Sequence, residues 1–345
     1  MYTHFMVPVD GSVLSSANVD EAIKLANRLG AKITFFHATT DLGATGDGAV
    51  LRSIAPTAFV EAAMGETHGV LSKARASANA AGVSCDVLAR TCDRPAEAIV
   101  AASQSQGCDL IVMASRGVKG LAGLLHSSQT ERVLRQSPVA LLVTRVSSID
   151  PLNACERALA VIQDEHRSIA VVVKGMQDLQ KGAIENGTVL DLSSMEAILA
   201  YMQAFPLQLH HPKEEQFLHR WMRQRVPSCE PVLKSLEDQH IQEHELVAEA
   251  VRCVRAAKNG DLPAGEMLSH IIPTLAEAVW CHLRLEEDTI LPLARQYLHD
   301  DDWSDIAGAF AGNSELGFDI STTIEFQKMF TKIANQLNGS SSISL

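Results

Sequence analysis

The arrangement of apolar residues changes near Pro151, and this change limits the chain to two different kinds of domain. Before it, short strand-forming runs alternate with longer runs of helical periodicity; after it, only long helical patterns follow. The length of 345 residues is also about twice that of a usual domain. The sequence therefore predicts an α/β domain over 1–146, a linker over 147–152 and a helical domain over 153–310. A further helix and a flexible tail are expected over 311–345.

The first domain is predicted to be a doubly wound α/β fold. Strands are expected at 3–9, 32–38, 83–89, 110–114 and 139–144, with a helix between each pair. Strands that alternate with helices imply a parallel five-stranded sheet covered on both faces. The fully apolar run LIVMA at 110–114 fits a strand that is buried on both sides.

The second domain is predicted to be an all-α, up-down four-helix bundle. Its long helical patterns lie near 153–181, 193–225, 230–257 and 263–298. Short loops between long helices place neighbouring helices antiparallel to one another.

Composition excludes several classes of partner. Lys and Arg number 29 against 41 Asp and Glu, a net charge of -12, which disfavours nucleic acid and an anionic membrane surface. No run approaches the roughly 18 apolar residues of a membrane helix, and the N-terminus has no basic-then-apolar leader. Seven cysteines without a CxxC pair indicate reduced thiols. We expect a cytoplasmic protein without a nucleic-acid or membrane partner.

Histidines lie on the apolar face of all four predicted bundle helices. The first helix has a lone histidine, and the other three each pair a histidine with a histidine or glutamate four residues later, on the same face. A lone histidine on such a face is usually a core residue, but five with three paired partners indicate a metal site, because buried polar groups need partners. The residues are His166, His240 with His244, His282 with Glu286, and a pair within LHHPKEEQF at 209–217.

Two registers remain open for the second helix. The pair is either His210 with Glu214 or His211 with Glu215, because the neighbouring prolines can kink the helix and obscure its apolar phase. The remaining histidines of this half are interpreted as surface or capping residues, and they include His219, His270 and His299.

Five histidines and two carboxylates differ from the carboxylate-rich ferritin-like bundles. The set, over roughly 155–310, resembles the hemerythrin-like (HHE cation-binding) family. The resemblance implies a non-haem centre of two iron ions, bridged by carboxylates, with room for dioxygen or nitric oxide. It favours the second register, with Glu287 as an alternative to Glu286. The implied ligands are His166, His211, Glu215, His240, His244, His282 and Glu286.

A glycine-containing run follows the fourth predicted strand and begins at Met113. Such loops let backbone N–H groups approach a phosphate at a helix N-terminus. Together with VPVDGS at 7–12, the run resembles the universal stress protein family over 1–146. Its nucleotide-binding members carry Gly-x-x-Gly, nine residues, then Gly-Ser/Thr, and here Ala114 and Ser127 replace two glycines. The implied ATP-binding residues are Asp10, Met113, Gly117, Ser127, Ser128 and Thr130.

Two interpretations of this loop stay open. Either it binds ATP, or a side-chain Cβ in place of glycine blocks the approach of the phosphate and the loop serves packing or dimerisation. Asp10 has a second explanation as well, because an Asp-Gly-Ser turn after a strand needs no ligand.

The sequence indicates a binding protein rather than an enzyme. No Ser-His-Asp or Cys-His nucleophile is evident, and Cys281 points about 100° away from His282 on a helix. We expect a cytosolic stress-response protein whose di-iron centre binds or senses a diatomic ligand. The α/β domain would form a homodimer or an ATP-linked module. Iron handling or repair of damaged Fe–S centres is one alternative, and a metal-free structural interaction protein is another.

Overall fold

The computed structural model describes residues 2–39, 56–116, 129–146, 153–311 and Ile333. The chain divides into two compact units between residues 151 and 152. The predicted linker, most of the C-terminal segment, and the loop residues Gly117, Ser127 and Ser128 lie outside the described residues.

The first unit is a five-stranded parallel sheet with helices between successive strands, which confirms the predicted fold class. The strand order is β3-β2-β1-β4-β5. The strands are β1 His4–Pro8, β2 Lys32–Thr39, β3 Cys85–Thr91, β4 Leu110–Arg116 and β5 Ala140–Val146. The helices are α1 Val13–Leu29, α2 Pro56–Ala80, α3 Pro95–Ser105 and α4 Gln129–Gln136.

Both faces of the central strands of this sheet are buried. Along β1 the side chains alternate, so that Phe5 and Val7 pack with one apolar cluster and Met6 with another. The first cluster includes Val19 of α1, and the second includes Ile99 of α3. Burial on both faces explains why the central strands are largely apolar, whereas the edge strands β3 and β5 carry exposed residues such as Asp86, Leu142 and Val143.

The second unit consists of long helices, as predicted for the bundle. They are α5 Ala154–Asn186, α6 over 192–225, α7 Glu230–Lys258 and α8 over 262–297, followed by the shorter α9 Asp300–Ala311. The first begins with a capping box between Asn153 and Glu156 and ends at Gly187, whose positive φ of 61° suits glycine. Among the described residues, no helix is long and apolar enough to cross a membrane.

Three π-helical segments interrupt α6 and α8. They are Gln203–His210 and Glu214–His219 in α6 and Glu286–Ile290 in α8. In the first, the backbone N–H of His211 reaches back five residues to the carbonyl of Pro206. Such wide turns are rare and often occur at functional sites. They also shift which side chains face the core, so an uninterrupted α-helical pattern does not describe α6.

Candidate metal centre

A cluster of histidine and glutamate side chains lies between α5, α6, α7 and α8. Each of its nine side chains is at most 6% exposed. They are His166 from α5; His210, His211, Glu214 and His219 from α6; His240 and Glu243 from α7; and His282 and Glu286 from α8.

Two groups of four residues within this cluster could each hold a metal ion. One ligand atom from each member lies within 4.8 Å of the others in its group. The first group is His166, His210, Glu214 and Glu286, and the second is His211, Glu214, His240 and His282.

Glu214 belongs to both groups, and its two oxygens face different histidines. Oε1 lies 3.1 Å from Nε2 of His210 and 3.4 Å from Nε2 of His166. Oε2 lies 3.8 Å from Nε2 of His240. This is the arrangement expected of a carboxylate that bridges two cations.

Carboxylates outside the two groups orient three of the histidines. The contacts are His166 Nδ1 with Glu287 Oε1 at 2.7 Å, His210 Nδ1 with Glu165 Oε2 at 2.8 Å, and His240 Nδ1 with Glu215 Oε1 at 2.7 Å. In each case the hydrogen-bonded Nδ1 leaves Nε2 facing the cluster. Metal-bound histidines show the same pattern, in which an outer carboxylate fixes the ring and raises its basicity.

Many potential ligand atoms in the cluster form no hydrogen bond of acceptable geometry within the described part of the chain, although some lie within 3.5 Å of a carboxylate oxygen. They are Nε2 of His210 and His240, both ring nitrogens of His219 and His282, Oε2 of Glu214, Oε1 of Glu243 and both oxygens of Glu286. An unsatisfied buried polar atom costs about 1–3 kcal/mol. These nitrogen and oxygen atoms therefore fit a metal, and imidazole with carboxylate suits iron, manganese or zinc.

The electrostatics differ between the two groups of the cluster. Burial opposes protonation of His210, yet Glu214 and Glu165 raise its pKa to about 9. Burial and Glu286 would raise the pKa of Glu214, but His210 and His166 lower it to about 2. Burial raises the pKa of Glu243 to about 7. Carboxylates thus raise the pKa of His210 in the first group, whereas burial and the neighbouring His240 and His282 hold the pKa of His211 in the second group well below its usual value.

Five of the seven residues implied by the hemerythrin resemblance lie in this cluster: His166, His211, His240, His282 and Glu286. His210 and Glu214 lie there too. The two registers of the second helix were posed as alternatives, but the structure buries residues from both. The π-helical segments on either side of Pro212 explain this, since their wider turns bring adjacent positions toward one face.

The other two implied ligands lie elsewhere. The side chain of Glu215 is 43% exposed and bonds the outer nitrogen of His240, while His244 is exposed. In α7, seven of the eight buried positions, all except Cys253, alternate by three and four residues, as in a coiled-coil seam. They are Leu233, Leu236, His240, Glu243, Val247, Ala250 and Val254. This seam includes Glu243 and excludes His244. The spacing of the apolar residues in the sequence could therefore have predicted that Glu243 is buried.

His219 was interpreted as a surface or capping residue, but its side chain is fully buried in the cluster. It lies five residues after Glu214 in a π-helical segment. One π turn places such residues on the same face. The α-helical spacing of the sequence does not predict that His219 shares a face with Glu214. His270 and His299 are exposed.

The described residues of the predicted nucleotide site are bonded within the α/β unit. Asp10 is exposed, and its Oδ1 accepts hydrogen bonds from the backbone N–H and the hydroxyl of Ser12, at 3.0 and 2.7 Å. Thr130 donates from its hydroxyl to the carbonyl of Ala114 at 2.9 Å, and Met113 is buried in the sheet core. These contacts explain the three side chains without a nucleotide and leave ATP binding a prediction.

A parallel α/β unit followed by a helical unit with a buried histidine–glutamate cluster defines a two-domain protein with a candidate metal-binding bundle. Residues 1–145 match the universal stress protein family, and residues 157–294 match the hemerythrin HHE cation binding domain. The chain therefore carries a universal stress protein domain followed by a hemerythrin HHE domain. This combination suggests a role in stress response and the binding of a metal.

Similar proteins cover the first unit. Universal stress protein YxiE of Bacillus subtilis (strain 168) is 26% identical over 149 residues, which is 42% of this chain and all of that protein. A universal stress protein of Thermus aquaticus, from the QAH/OAS sulfhydrylase 3' region, is 40% identical over 52 residues. That match spans 15% of this chain and 38% of the Thermus protein.

Solved structures also match this unit. A universal stress protein in complex with cAMP is 25% identical and covers 42% of this chain and 97% of its own, with a TM-score of 0.32. A universal stress family protein from Burkholderia pseudomallei is 25% identical, with coverages of 41% and 96% and a TM-score of 0.31.

Proposed function

We propose that the bundle holds two iron ions and binds or senses dioxygen or nitric oxide at them. The observation that carries this proposal is the pair of buried four-residue groups that share Glu214. Their donor atoms include several that hydrogen-bond to no other described residue. Two groups joined by one carboxylate suit two neighbouring cations better than one.

Some residues of the cluster would bind the ions, and others would orient the side chains that bind them. His166, His210 and Glu286 would hold the first ion, His211, His240 and His282 the second, and Glu214 both. Outside them, Glu287, Glu165 and Glu215 fix the rings of three histidines through their Nδ1 atoms. Outer residues of this kind keep ligands in place before a metal arrives.

The buried position of the cluster limits what can react there. Bound iron supplies a redox-active centre with coordination positions for an external ligand. The surrounding side chains are nearly inaccessible to solvent, so they admit a diatomic molecule more readily than an organic substrate. Neutral imidazoles outnumber carboxylates, which gives less anionic donation than a ferritin-like site and favours binding over oxygen activation. We therefore propose a sensor or binding protein, with the α/β unit as its dimerisation or nucleotide-linked module.

Metal analysis together with optical spectra tests this proposal. Full-length protein purified with and without air should contain about two iron ions per chain, as expected for a di-iron bundle. The spectrum of the reduced protein should change on adding dioxygen or nitric oxide. The His240→Ala/His282→Ala variant should lose metal, whereas the exposed control His270→Ala/His299→Ala should not.

Three outcomes would contradict the proposal. Zinc as the only bound metal in cells would exclude a diatomic sensor. Full iron content in the His240→Ala/His282→Ala variant would exclude this ligand set. Slow reaction with dioxygen combined with fast iron transfer to an apo-protein would instead indicate iron handling or repair.

A further inference from the structure

Two side chains of the cluster belong to neither four-residue group. These are His219 and Glu243, which are 0% and 1% exposed. Burying such groups is costly unless something satisfies them.

His219 lies beside the first group. Its Nε2 is 3.5 Å from Oε1 of Glu286, a residue of the first group alone. It approaches the second group through the ring of His240, whose centroid is 6.1 Å from its own. Within the described residues, neither ring nitrogen of His219 forms a hydrogen bond. A neutral imidazole always carries one donor and one acceptor, so both are unsatisfied in this position.

Glu243 lies beside the second group. Its Oε1 is 3.6 Å from Nδ1 of His282, and its Oε2 is 3.8 Å from Nε2 of His211. Both distances exceed those of a hydrogen bond. His211 and His282 belong to the second group alone. Glu243 therefore lies beside the place where the second group would hold an ion, as His219 lies beside that of the first group.

We propose that His219 and Glu243 are additional metal ligands, His219 at the first position and Glu243 at the second. This inference rests on the proposed two-ion site. Each ion would then have five protein residues around it, the four of its group and one more. An octahedral ion has six positions, so each ion would keep a single position for an external ligand. The external ligand would then be one small molecule between the two ions, or one at each ion.

Cobalt binding to the full-length protein tests the two assignments separately. Co²⁺ prefers similar donors to Fe²⁺, and its visible absorption depends on the number and type of ligands. The variants are His219→Ala and Glu243→Gln. Their matched controls are His270→Ala and Glu245→Gln, which change exposed residues of the same types.

Each of the two variants should weaken one of the two bound Co²⁺ ions and alter its visible spectrum. The loss in affinity should be at least about 10–100-fold, the effect known for residues one step further from a metal. The controls should match the wild type in affinity, stoichiometry and spectrum. His219→Gln keeps a polar side chain of similar size, and it should show the same loss if His219→Ala does not fold.

The possible failures are distinguishable. Two Co²⁺ ions with unchanged affinity and spectrum in both variants would overturn this inference but leave the two-ion site standing. A wild-type protein that binds no Co²⁺ and no iron would overturn both the inference and the proposed function. An unchanged spectrum in one variant alone would remove that residue from the ligand set.

Discussion

Buried polar groups in the two units differ in whether their own chain satisfies them. In the α/β unit, Asn18 donates to the carbonyl of Val112 at 3.0 Å and accepts from the hydroxyl of Thr144 at 2.7 Å. The ring of His37 contacts the carbonyl of Val9 at 2.7 Å. In the bundle, by contrast, ring nitrogens and carboxylate oxygens remain unsatisfied within the described residues. A buried histidine alone does not indicate a ligand; a cluster of unsatisfied ones does.

The largest expected effect is that removing metal destabilises only the bundle. At free metal about 1,000 times its dissociation constant, each bound ion stabilises the folded state by about 4 kcal/mol, so two contribute about 8 kcal/mol. Calorimetry of the full-length protein should show two unfolding transitions. Chelator should move the bundle transition to a much lower temperature and leave the α/β transition in place.

The control for this experiment is the double variant His240→Ala/His282→Ala, whose bundle transition should not respond to chelator. Equal shifts of both transitions would mean that metal stabilises the two units alike. No shift in the wild type would mean that the buried donors are satisfied without a metal.

The second prediction concerns the ion pair behind His210. Lys213 is 1% exposed and lies 3.3 Å from Oε1 of Glu165, whose Oε2 contacts Nδ1 of His210. Removing one partner of a buried ion pair costs about 3–5 kcal/mol, because the other charge stays buried. Lys213→Met should therefore lower the free energy of unfolding by that amount, as measured by urea denaturation.

Two further variants sharpen this prediction. Glu165→Gln/Lys213→Met should recover part of the loss, because neither position then carries a charge; the comparison uses metal-free protein, since Glu165 also contacts His210. Lys174→Met removes a partner from the exposed pair with Asp178 and should cost less than about 1 kcal/mol. Equal losses in the free energy of unfolding for Lys213→Met and Lys174→Met would show that burial does not increase the contribution of the Lys213–Glu165 pair.

Most of the fold could be predicted from the sequence, because its signals are local. Short apolar runs separated by helical patterns are sufficient to predict the five strands, and the predicted helix near 153–181 corresponds to α5 Ala154–Asn186. The strand order β3-β2-β1-β4-β5 was not predicted, because pairing between strands is a long-range property. In the same way, local patterns are sufficient to predict the type of each domain, whereas the detailed ligand set depends on how the helices pack.

Irregular helical turns and closely neighbouring positions limit how much of the site could be predicted. His166 and His240 follow the α-helical apolar pattern and lie in the cluster. His219 does not follow it, because a π-helical segment sets its direction. His244 illustrates a different limit: residues three and four positions after His240 lie near the same face. Only the seam of α7 decides that Glu243, rather than His244, is buried.

The third prediction compares a carboxylate that is hydrogen-bonded to a cluster histidine with an exposed carboxylate that is not part of the cluster. Glu215→Gln weakens the acceptor for Nδ1 of His240, 2.7 Å away, and should lower metal affinity about 10–100-fold. Glu245→Gln on α7 should leave affinity unchanged, since Glu245 is exposed. Competition with a chelator of known affinity measures both. Complete loss of one ion in Glu215→Gln would instead indicate that Glu215 is itself a ligand, as the family resemblance implies.

The smallest expected effects are in the α/β unit. Asp10→Ala removes an acceptor for two hydrogen bonds from Ser12 at an exposed turn, and should cost about 1 kcal/mol of stability or less. If the predicted ATP site exists, the same variant should abolish ATP binding in calorimetry. Ala114→Gly/Ser127→Gly should tighten it, because glycine lets the backbone approach a phosphate. No binding in either the wild type or the double-glycine variant would assign this unit to assembly, which light scattering would then show as a homodimer. ATP binding that Asp10→Ala leaves unchanged would mean that Asp10 only closes its turn, consistent with a unit whose described polar groups satisfy one another.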